Sequence, residues 1–217
     1  MSTYLRRLFR RTAWFFALLG CAGSIHAADW HEAVNGDLSG NRLAPTVLPL
    51  TAGNNAVRGI TGRAFAGGPV DLDYFTVTVP AGYELSALNV LPDTLVLGDG
   101  SFIGFMSGAV FTVPPTTQTA AGLLGWTLFS ESNIGDDLLG FMSTPSFGST
   151  GFSPPLPAGA YSFWLQETAV GVSTYGLSLV LTAVPEPSRA LALSGGLLVL
   201  AAVVRRRRSI SVRRIGP

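Results

Sequence analysis

Two aspartates separated by one residue, Asp71 and Asp73, are the side chains best spaced to do chemistry. Alternate residues of a strand face the same side, so Asp71-x-Asp73 presents two carboxylates together where an apolar strand begins. Asp93 and Asp99 lie in turns that follow. Ca²⁺ takes about six to eight oxygen ligands in flexible geometry, which carboxylates and loop carbonyls can supply. We expect either a structural Ca²⁺ at Asp71 and Asp73 or ordinary surface carboxylates there.

Composition excludes most covalent catalysis. Between Ala28 and Val184 the chain contains neither cysteine nor lysine, and His31 is the single histidine of that region. A thiol nucleophile, a Schiff-base lysine and a cysteine-containing zinc site are therefore excluded there. A serine triad would have to use His31, and no G-x-S-x-G elbow accompanies it.

Hydrolysis by carboxylates alone, as in glycosidases, is the remaining enzymatic alternative. Its candidates are Glu131, Asp136, Asp137 and Glu167. Adjacent aspartates of a strand point to opposite faces, so Asp136 and Asp137 could not act on one substrate without a turn between them. We therefore predict a non-enzymatic protein in which these acids are solvated.

Four large aromatic side chains, Trp126, Tyr161, Trp164 and Tyr175, could stack on sugar rings. In a sandwich without disulfides, such rings more often pack in the core or at its edge. Trp164 falls on the strand face opposite to Tyr161 and Phe163, which predicts that one of those two faces is more exposed. A carbohydrate- or calcium-binding module at the cell surface is therefore the alternative function.

The elements that must position these side chains are strands. Apolar residues at 75, 77 and 79 alternate with threonines up to the turn Pro80-Ala81-Gly82, and a second such turn, Pro157-Ala158-Gly159, precedes two more alternating runs at 161–165 and 175–181. Further strand candidates are 47–50, 83–90, 101–105, 109–113 and 123–129. We expect 83–90 to pair with the strand before it, and the last two strands to form a hairpin. This spacing predicts an all-β fold, an antiparallel β-sandwich of about seven to nine strands.

The N-terminus has the order of a secretory signal peptide. Four arginines (Arg6, Arg7, Arg10, Arg11) precede an apolar core at 13–22, and small residues follow it. We place the cleavage after Ala27, with Ala28 as the alternative. The segment around Cys21 also resembles a bacterial lipoprotein box, so lipidation of Cys21 is an alternative to a plain apolar-core cysteine.

The C-terminus combines a proline-flanked glutamate, an uncharged apolar run and a block of positive charge. Pro185 and Pro187 flank Glu186 and cannot continue a helix, which predicts an extended, accessible segment. The apolar run at 190–204 has 15 residues, fewer than the roughly 20 that span a typical bilayer, so it fits a thinned one. The block that follows, which holds this end on the cytoplasmic side, consists of Arg205, Arg206, Arg207 and Arg208.

The region between the two ends is acidic. From Ala28 to Val184, three arginines face twelve acidic residues, which gives a net charge of −9. This sign disfavours nucleic acid and anionic lipid as partners. Because arginines at both ends stay cytoplasmic, we expect the acidic middle to cross to the outside. A cut after Ala27 leaves no cysteine, so stability must come from the core rather than from disulfides.

In this order and spacing, the C-terminal segment resembles the PEP-CTERM sorting signal of Gram-negative bacteria. The matching residues are Val184-Pro185-Glu186-Pro187, the apolar run with Gly195-Gly196, and the arginine block. The resemblance implies recognition by an exosortase, a membrane cysteine protease-transpeptidase, near Pro185-Glu186-Pro187. Release or transfer to the cell surface or the extracellular polysaccharide matrix would follow. The alternative is an ordinary C-terminal membrane anchor.

A weaker resemblance concerns the middle of the chain. Residues 71–82, DLDYFTVTVPAG, resemble a strand of bacterial pre-peptidase C-terminal β-sandwich domains, and 156–161 with 175–177 resemble that family's late hairpin. The resemblance implies a non-catalytic accessory module. Residues 98–153 are longer and richer in Gly, Ser and Thr than a minimal version and do not align with it.

The chain is thus expected to comprise five segments. They are a signal peptide (1–27), a leading loop region (28–52), a β-sandwich domain (53–184), the sorting signal with its transmembrane helix (185–208) and a basic cytoplasmic tail (209–217). A signal helix and a transmembrane helix would therefore flank the sandwich. The expected partners are the general secretion machinery, an exosortase, transiently the inner membrane, and extracellular polysaccharide.

Overall fold

The computed structural model describes residues 29–185, which form nine strands, two short α-helices and one turn of 3-10 helix. The strands are β1 (Asp29–His31), β2 (Thr46–Leu48), β3 (Gly53–Arg63), β4 (Leu72–Val79), β5 (Tyr83–Val90), β6 (Ser101–Ser107), β7 (Gly125–Phe129), β8 (Gly159–Glu167) and β9 (Gly171–Ala183). The helices are α1 (Glu32–Asn35), the 3-10 turn (Glu131–Asn133) and α2 (Leu138–Met142).

The strands form two sheets that enclose one core. The four-stranded sheet has the order β1-β3-β9-β5, and the five-stranded sheet has the order β2-β4-β8-β6-β7. This confirms, for the described part of the chain, a mostly β, sandwich-like fold with a strand number in the predicted range. The pairing is antiparallel except at two outer strands, because β1 runs parallel to β3 and β2 runs parallel to β4.

Two predicted strand pairings are wrong. β8 pairs with β4 and β6, whereas β9 pairs with β3 and β5, so the expected C-terminal hairpin does not form. β4 and β5 likewise lie in different sheets. In both cases the chain crosses from one sheet to the other at the turn. Alternation of apolar and polar residues shows that a strand has one buried face. It does not show which strand is its neighbour, because two strands that face each other across a core have the same pattern as two strands paired in one sheet.

Strand β3 has no counterpart among the predicted strands. Its inward-facing residues are Asn55, Val57, Gly59 and Thr61, all buried. Since three of these four are not apolar, the usual alternation signal is missing. Conversely, residues 109–113, predicted as a strand, form a loop. Phe111 within it is fully buried because it packs on the outer face of the five-stranded sheet.

The core between the sheets is built on stacked aromatic rings. Phe163 of β8 lies between its cross-strand partners Phe75 and Phe105. Its ring centroid is 4.9 Å from that of Phe75 and 5.4 Å from that of Phe105, and all three side chains are fully buried. Leucines of β9, such as Leu177 and Leu179, cover them from the opposite sheet.

A second apolar cluster covers the outer face of the five-stranded sheet. Trp164 stacks on Tyr74 at 6.0 Å and meets the edge of Phe111 at 5.7 Å. The Arg42 guanidinium holds the covering loop by donating to the carbonyl oxygens of Phe111 and Thr112, at 3.2 and 2.8 Å. The expectation that one face of β8 is more exposed is therefore wrong, because loops rather than solvent cover its outer face.

Both targeting segments fall outside the described residues. These include the cleavage site at Ala27 and Ala28, Cys21, and the sorting residues Glu186, Pro187 and Arg205–Arg208. Of the Pro-Glu-Pro motif, Pro185 is described, and it is exposed. Among residues 29–185, no helix has the length and apolarity that a membrane crossing requires.

The stacked core predicts a large effect of truncating Phe163. We expect Phe163→Ala to lower the free energy of unfolding by about 3–5 kcal/mol, because it leaves a cavity between two rings that cannot close. Urea denaturation followed by tryptophan fluorescence measures the loss. Thr78→Ala, at an exposed position of β4, is the control and should change it by less than about 0.5 kcal/mol. Equal effects of the two substitutions would contradict this description of the core.

Candidate functional site

Three carboxylates from two distant parts of the chain meet at one end of the sandwich. One oxygen from each of Glu32, Asp37 and Asp73 lies within 4.8 Å of the others. Asp71 lines a pocket of about 500 Å³ together with Glu32 and Asp37. We refer to these four residues as the candidate cation site.

The leading segment places Glu32 by means of a short parallel pairing. β1 pairs with β3, and α1 starts directly after it, with the His31 Nδ1 accepting from the Ala33 amide at 3.2 Å. The carboxylate of Glu32 then accepts two backbone N–H groups, from Leu38 at 3.0 Å and from Ile60 at 2.8 Å. Burial raises the pKa of Glu32 above its usual value, against the lowering effect of these two hydrogen bonds.

The absence of a side chain at Gly59 makes room for this carboxylate. A Cβ at this position would lie 2.5 Å from the Glu32 Cδ and Oε2 and 2.5 Å from the Tyr175 hydroxyl oxygen. Gly59 lies directly opposite Tyr175 in the β3–β9 pairing. Glycine here therefore serves the site rather than a turn, and any larger residue would have to displace the Glu32 carboxylate or the buried tyrosine.

Asp73 is the buried centre of the site. Its side chain is 0 % exposed, and the Tyr175 hydroxyl donates to its Oδ2 at 2.8 Å. Its other oxygen, Oδ1, has no hydrogen-bond partner. Burial, followed by the nearby charge of Glu32, raises the pKa of Asp73 to about 9. Burial likewise raises the pKa of Tyr175 well above its usual value, so Tyr175 remains a hydrogen-bond donor.

None of these four carboxylates forms an ion pair with a basic side chain of residues 29–185, although Arg58 lines the same pocket. The two ion pairs in this part of the chain both involve Arg58, whose guanidinium contacts Asp29 at 2.7 Å and Asp93 at 2.6 Å. Burial also raises the pKa of Asp71, and the charge of Asp37 adds to this effect. The site therefore combines mutual repulsion and desolvation, an arrangement that a bound cation would relieve.

The structure places the four predicted calcium ligands, Asp71, Asp73, Asp93 and Asp99, in different surroundings. Asp73 belongs to the cluster, and Asp71 lines the pocket together with the other two cluster acids, Glu32 and Asp37. Asp93 lines that pocket but is bound to Arg58. Asp99, exposed in the loop before β6, is not part of the cluster.

Sequence reasoning missed Glu32 and Asp37, which were assigned to a leading loop. Both are acids that follow the proposed signal cleavage site closely. Their acidic character alone does not indicate which strand the leading segment pairs with.

The acids considered for hydrolysis are engaged in structural hydrogen bonds. The prediction that these acids are solvated is wrong for Glu167, which is buried. Its carboxylate accepts from the hydroxyls of Ser101 and Ser173 and from the amides of Thr168 and Ala169. It thereby ties β8 to its neighbours on both sheets at one end of the core. A carboxylate so fully satisfied is a structural acceptor.

The other three acids lie around α2 and the 3-10 turn. Asp137 caps α2, because its Oδ1 accepts from the amides of Leu139 and Leu88 at 3.0 and 2.8 Å. Asp136 accepts from the Asn133 side-chain amide, and Glu131 accepts from the Val96 amide. These hydrogen bonds give each of the three acids a role in the local structure.

The four aromatic candidates for sugar stacking are not equivalent. Tyr175 is buried in the cation site, and the Tyr161 hydroxyl donates to the carbonyl of Pro157 at 2.9 Å. Trp164 is 6 % exposed and belongs to the outer cluster. Trp126 is partly exposed, whereas the other three are buried.

Compared with protein families, curated proteins and solved structures, the chain matches none of them. The resemblances to the PEP-CTERM signal and to pre-peptidase C-terminal domains therefore remain interpretations of the sequence. Function must be inferred from the side chains themselves.

The raised pKa of Asp73 predicts a pH dependence of stability. Between its ordinary value of 3.8 and about 9, the folded protein holds a proton that the unfolded chain has released. Stability of the metal-free protein therefore falls as the pH rises through this window. Denaturation midpoints measured in chelator at several pH values from 4.5 to 9 test this.

Asp73→Asn is the matched variant, because the amide resembles the neutral acid and can still accept from Tyr175. We expect this variant to have a flatter profile and, at pH 8, to exceed the wild type by about 1 kcal/mol or more. Parallel profiles for the two proteins would show that Asp73 is not the group responsible.

Proposed function

We propose that this protein is an exported, non-enzymatic β-sandwich module that binds Ca²⁺ at the candidate cation site. It would be sorted by its C-terminal signal to the cell surface or the extracellular matrix. The calcium proposal is carried by the geometry around Asp73. The export proposal is supported by the two ends of the sequence.

The observation that favours a cation is the unpartnered oxygen of a fully buried carboxylate. Asp73 Oδ1 has no hydrogen-bond partner, and carboxylate oxygens of Glu32 and Asp37 lie within 4.8 Å in the same group. An ionised carboxylate buried without a partner is strongly disfavoured. A divalent cation would pair with Asp73 in its ionised form and would cancel the repulsion among its neighbours.

The donor set favours calcium over zinc and magnesium. Every ligand group is a carboxylate, and Zn²⁺ prefers nitrogen and sulfur donors. His31 is near the pocket, but its Nδ1 already accepts from the Ala33 amide. Mg²⁺ requires a small, near-ideal octahedron, whereas this site opens into a pocket of about 500 Å³ with room for further oxygen ligands from water.

Calcium at this position would join three parts of the fold. Glu32 and Asp37 belong to the leading segment, Asp73 to the five-stranded sheet, and its partner Tyr175 to the four-stranded sheet. A ligand that binds the folded state alone stabilises it by an amount that rises with the logarithm of the ligand concentration above the dissociation constant. The proposed role is therefore structural, with calcium fastening the leading segment to the end of the sandwich.

The charge distribution supports export. The region 28–184 carries −9, while arginines cluster near both termini. Arginines flanking short apolar runs stay cytoplasmic, so the acidic domain would cross the inner membrane through the general secretion machinery. A signal helix and a short transmembrane helix would hold the precursor in that membrane. An exosortase would then act near Pro185-Glu186-Pro187, leaving the module at the surface or among extracellular polysaccharide.

The calcium proposal predicts a specific stabilisation. Extracellular modules bind Ca²⁺ with dissociation constants of roughly 10⁻⁴–10⁻³ M. For the tighter limit, about 10 mM CaCl₂ stabilises by about 2.7 kcal/mol relative to chelator, which raises Tm by about 5–10 °C. Thermal unfolding followed by tryptophan fluorescence, with MgCl₂ in a parallel series, measures this shift.

Three variants locate the effect. Asp73→Asn removes the buried ligand, and Gly59→Ala displaces the Glu32 carboxylate without changing any charge, so both should lose most of the calcium shift. Asp99→Asn, an exposed acid outside the cluster, is the control and should retain it. Coincident wild-type curves in calcium and chelator would dismiss the site, and so would a full shift in Asp73→Asn.

The sorting proposal is tested by the mass of the mature protein. In a host that carries an exosortase, we expect the wild type to lose residues 1–27 and the segment that follows the Pro-Glu-Pro motif. Glu186→Ala should retain the full C-terminal tail, whereas Ser188→Ala, two residues away, should be processed normally. Intact mass spectrometry reports both cuts at once. An unprocessed wild-type chain in such a host would contradict the proposal.

A further inference from the structure

A groove on the outer face of the five-stranded sheet forms a second concave site. It has a volume of about 220 Å³ and lies between side chains of β6, β7 and β8 and the loop that precedes β7. We call it the aromatic groove, because rings of Phe102, Trp126, Phe147 and Trp164 line it. It shares no residue with the candidate cation site.

Strand register creates its aromatic floor. Gly104 of β6 lies opposite Trp126 on one neighbouring strand and opposite Trp164 on the other. The Phe102 ring covers this glycine, since a Cβ there would lie 2.8 Å from the Phe102 Cζ. The Phe102 centroid is 6.0 Å from that of Trp126 and 4.7 Å from that of Trp164. The three rings therefore form one continuous surface.

Phe147, at the rim of the groove, is unusual in its exposure and its backbone conformation. It is 73 % exposed and has a φ of 52°, in the left-handed region that bulky residues rarely adopt. Its ring meets Trp126 edge-on at 6.0 Å. The Trp126 indole N–H donates to the Ser146 carbonyl, which fixes its orientation. Exposure combined with backbone strain is hard to explain by packing and is typical of residues that contact ligands.

Polar groups complete the groove without adding charge. The amide side chains of Gln118 and Gln166 line the groove, and none of its lining residues is ionisable under ordinary conditions.

We propose that the aromatic groove binds a single pyranose ring of a neutral polysaccharide. A pyranose has apolar C–H faces that pack on aromatic rings and a rim of hydroxyls that hydrogen-bond to amide side chains. Apolar walls with a few placed polar groups are typical of such small-ligand sites. The uncharged lining disfavours phosphate and uronate, which need basic partners. The volume suits one ring, with the rest of the polymer outside.

The test uses the purified full chain and four probes. Three are neutral hexamers (cellohexaose, maltohexaose and mannohexaose), and one is acidic (hexagalacturonate). Titration calorimetry, supported by tryptophan fluorescence, should show saturable binding of at least one neutral hexamer and none of the acidic one. Chelator and Asp73→Asn should leave this binding unchanged, which separates it from the calcium proposal.

Two variants and a control decide whether the groove is responsible. Trp126→Ala and Phe147→Ala should each weaken binding by about tenfold or more. Phe141→Ala, which removes an aromatic ring that is 57 % exposed on α2 outside the groove, should bind like the wild type. Because Phe147 is largely exposed, its variant should fold even if Trp126→Ala does not. Unchanged affinity in Phe147→Ala, no binding of any neutral hexamer, or equal binding of hexagalacturonate would overturn the proposal.

Discussion

The hydrogen bond between Tyr175 and Asp73 connects the two sheets at the end of the core where the leading segment closes. Burying a carboxylate in this position is costly, and the fold compensates only one of its oxygens, through the 2.8 Å bond to Oδ2. The remaining oxygen has no hydrogen-bond partner and lies among acids that form no ion pair within the described residues, since Arg58 of the same pocket is paired with Asp29 and Asp93. Much of the local sequence follows from this constraint. Gly59 leaves space for Glu32, and the Leu38 and Ile60 amides hold the Glu32 carboxylate in place.

The strands that alternate clearly could be predicted from sequence, but their partners could not. In β4, β8 and β9 alternate residues are apolar side chains of the core, so the existence of these strands follows from the sequence pattern, although many of the residues between them are buried as well. Which sheet each strand joins depends on whether the chain crosses the core at a turn, and a Pro-Ala-Gly turn allows either outcome. β3 was not predicted, because most of its inward-facing residues are not large apolar side chains. The Asn55 amide, for example, bonds to the carbonyls of Thr51 and Leu179, and Gly59 accommodates the acid site.

The candidate cation site was likewise predictable in part, from residues close in sequence but not from those brought together by the fold. The spacing Asp71-x-Asp73 was sufficient to suggest a cation, because both residues belong to one strand and its approach. Glu32 and Asp37 join them through the parallel pairing of β1 with β3 and the bridge between Ser39 and Tyr74, which are contacts between segments far apart in the chain. Likewise, the sequence could identify Trp126 and Trp164 as large rings, but not the loop that covers one of them and leaves the other partly exposed. Long-range placement, rather than residue type, limited the prediction.

The leading segment (28–52) contributes to both proposed sites, although it contains few secondary-structure elements. Glu32 completes the acid cluster, while Arg42 holds the loop that carries Phe111 and encloses the aromatic groove. Because β1 begins at Asp29, two residues after the proposed cleavage at Ala27, these contacts would be made by the first residues of the exported chain. A cation that fastens this segment would therefore stabilise the sandwich at the point where, under the proposed processing, the mature chain would begin.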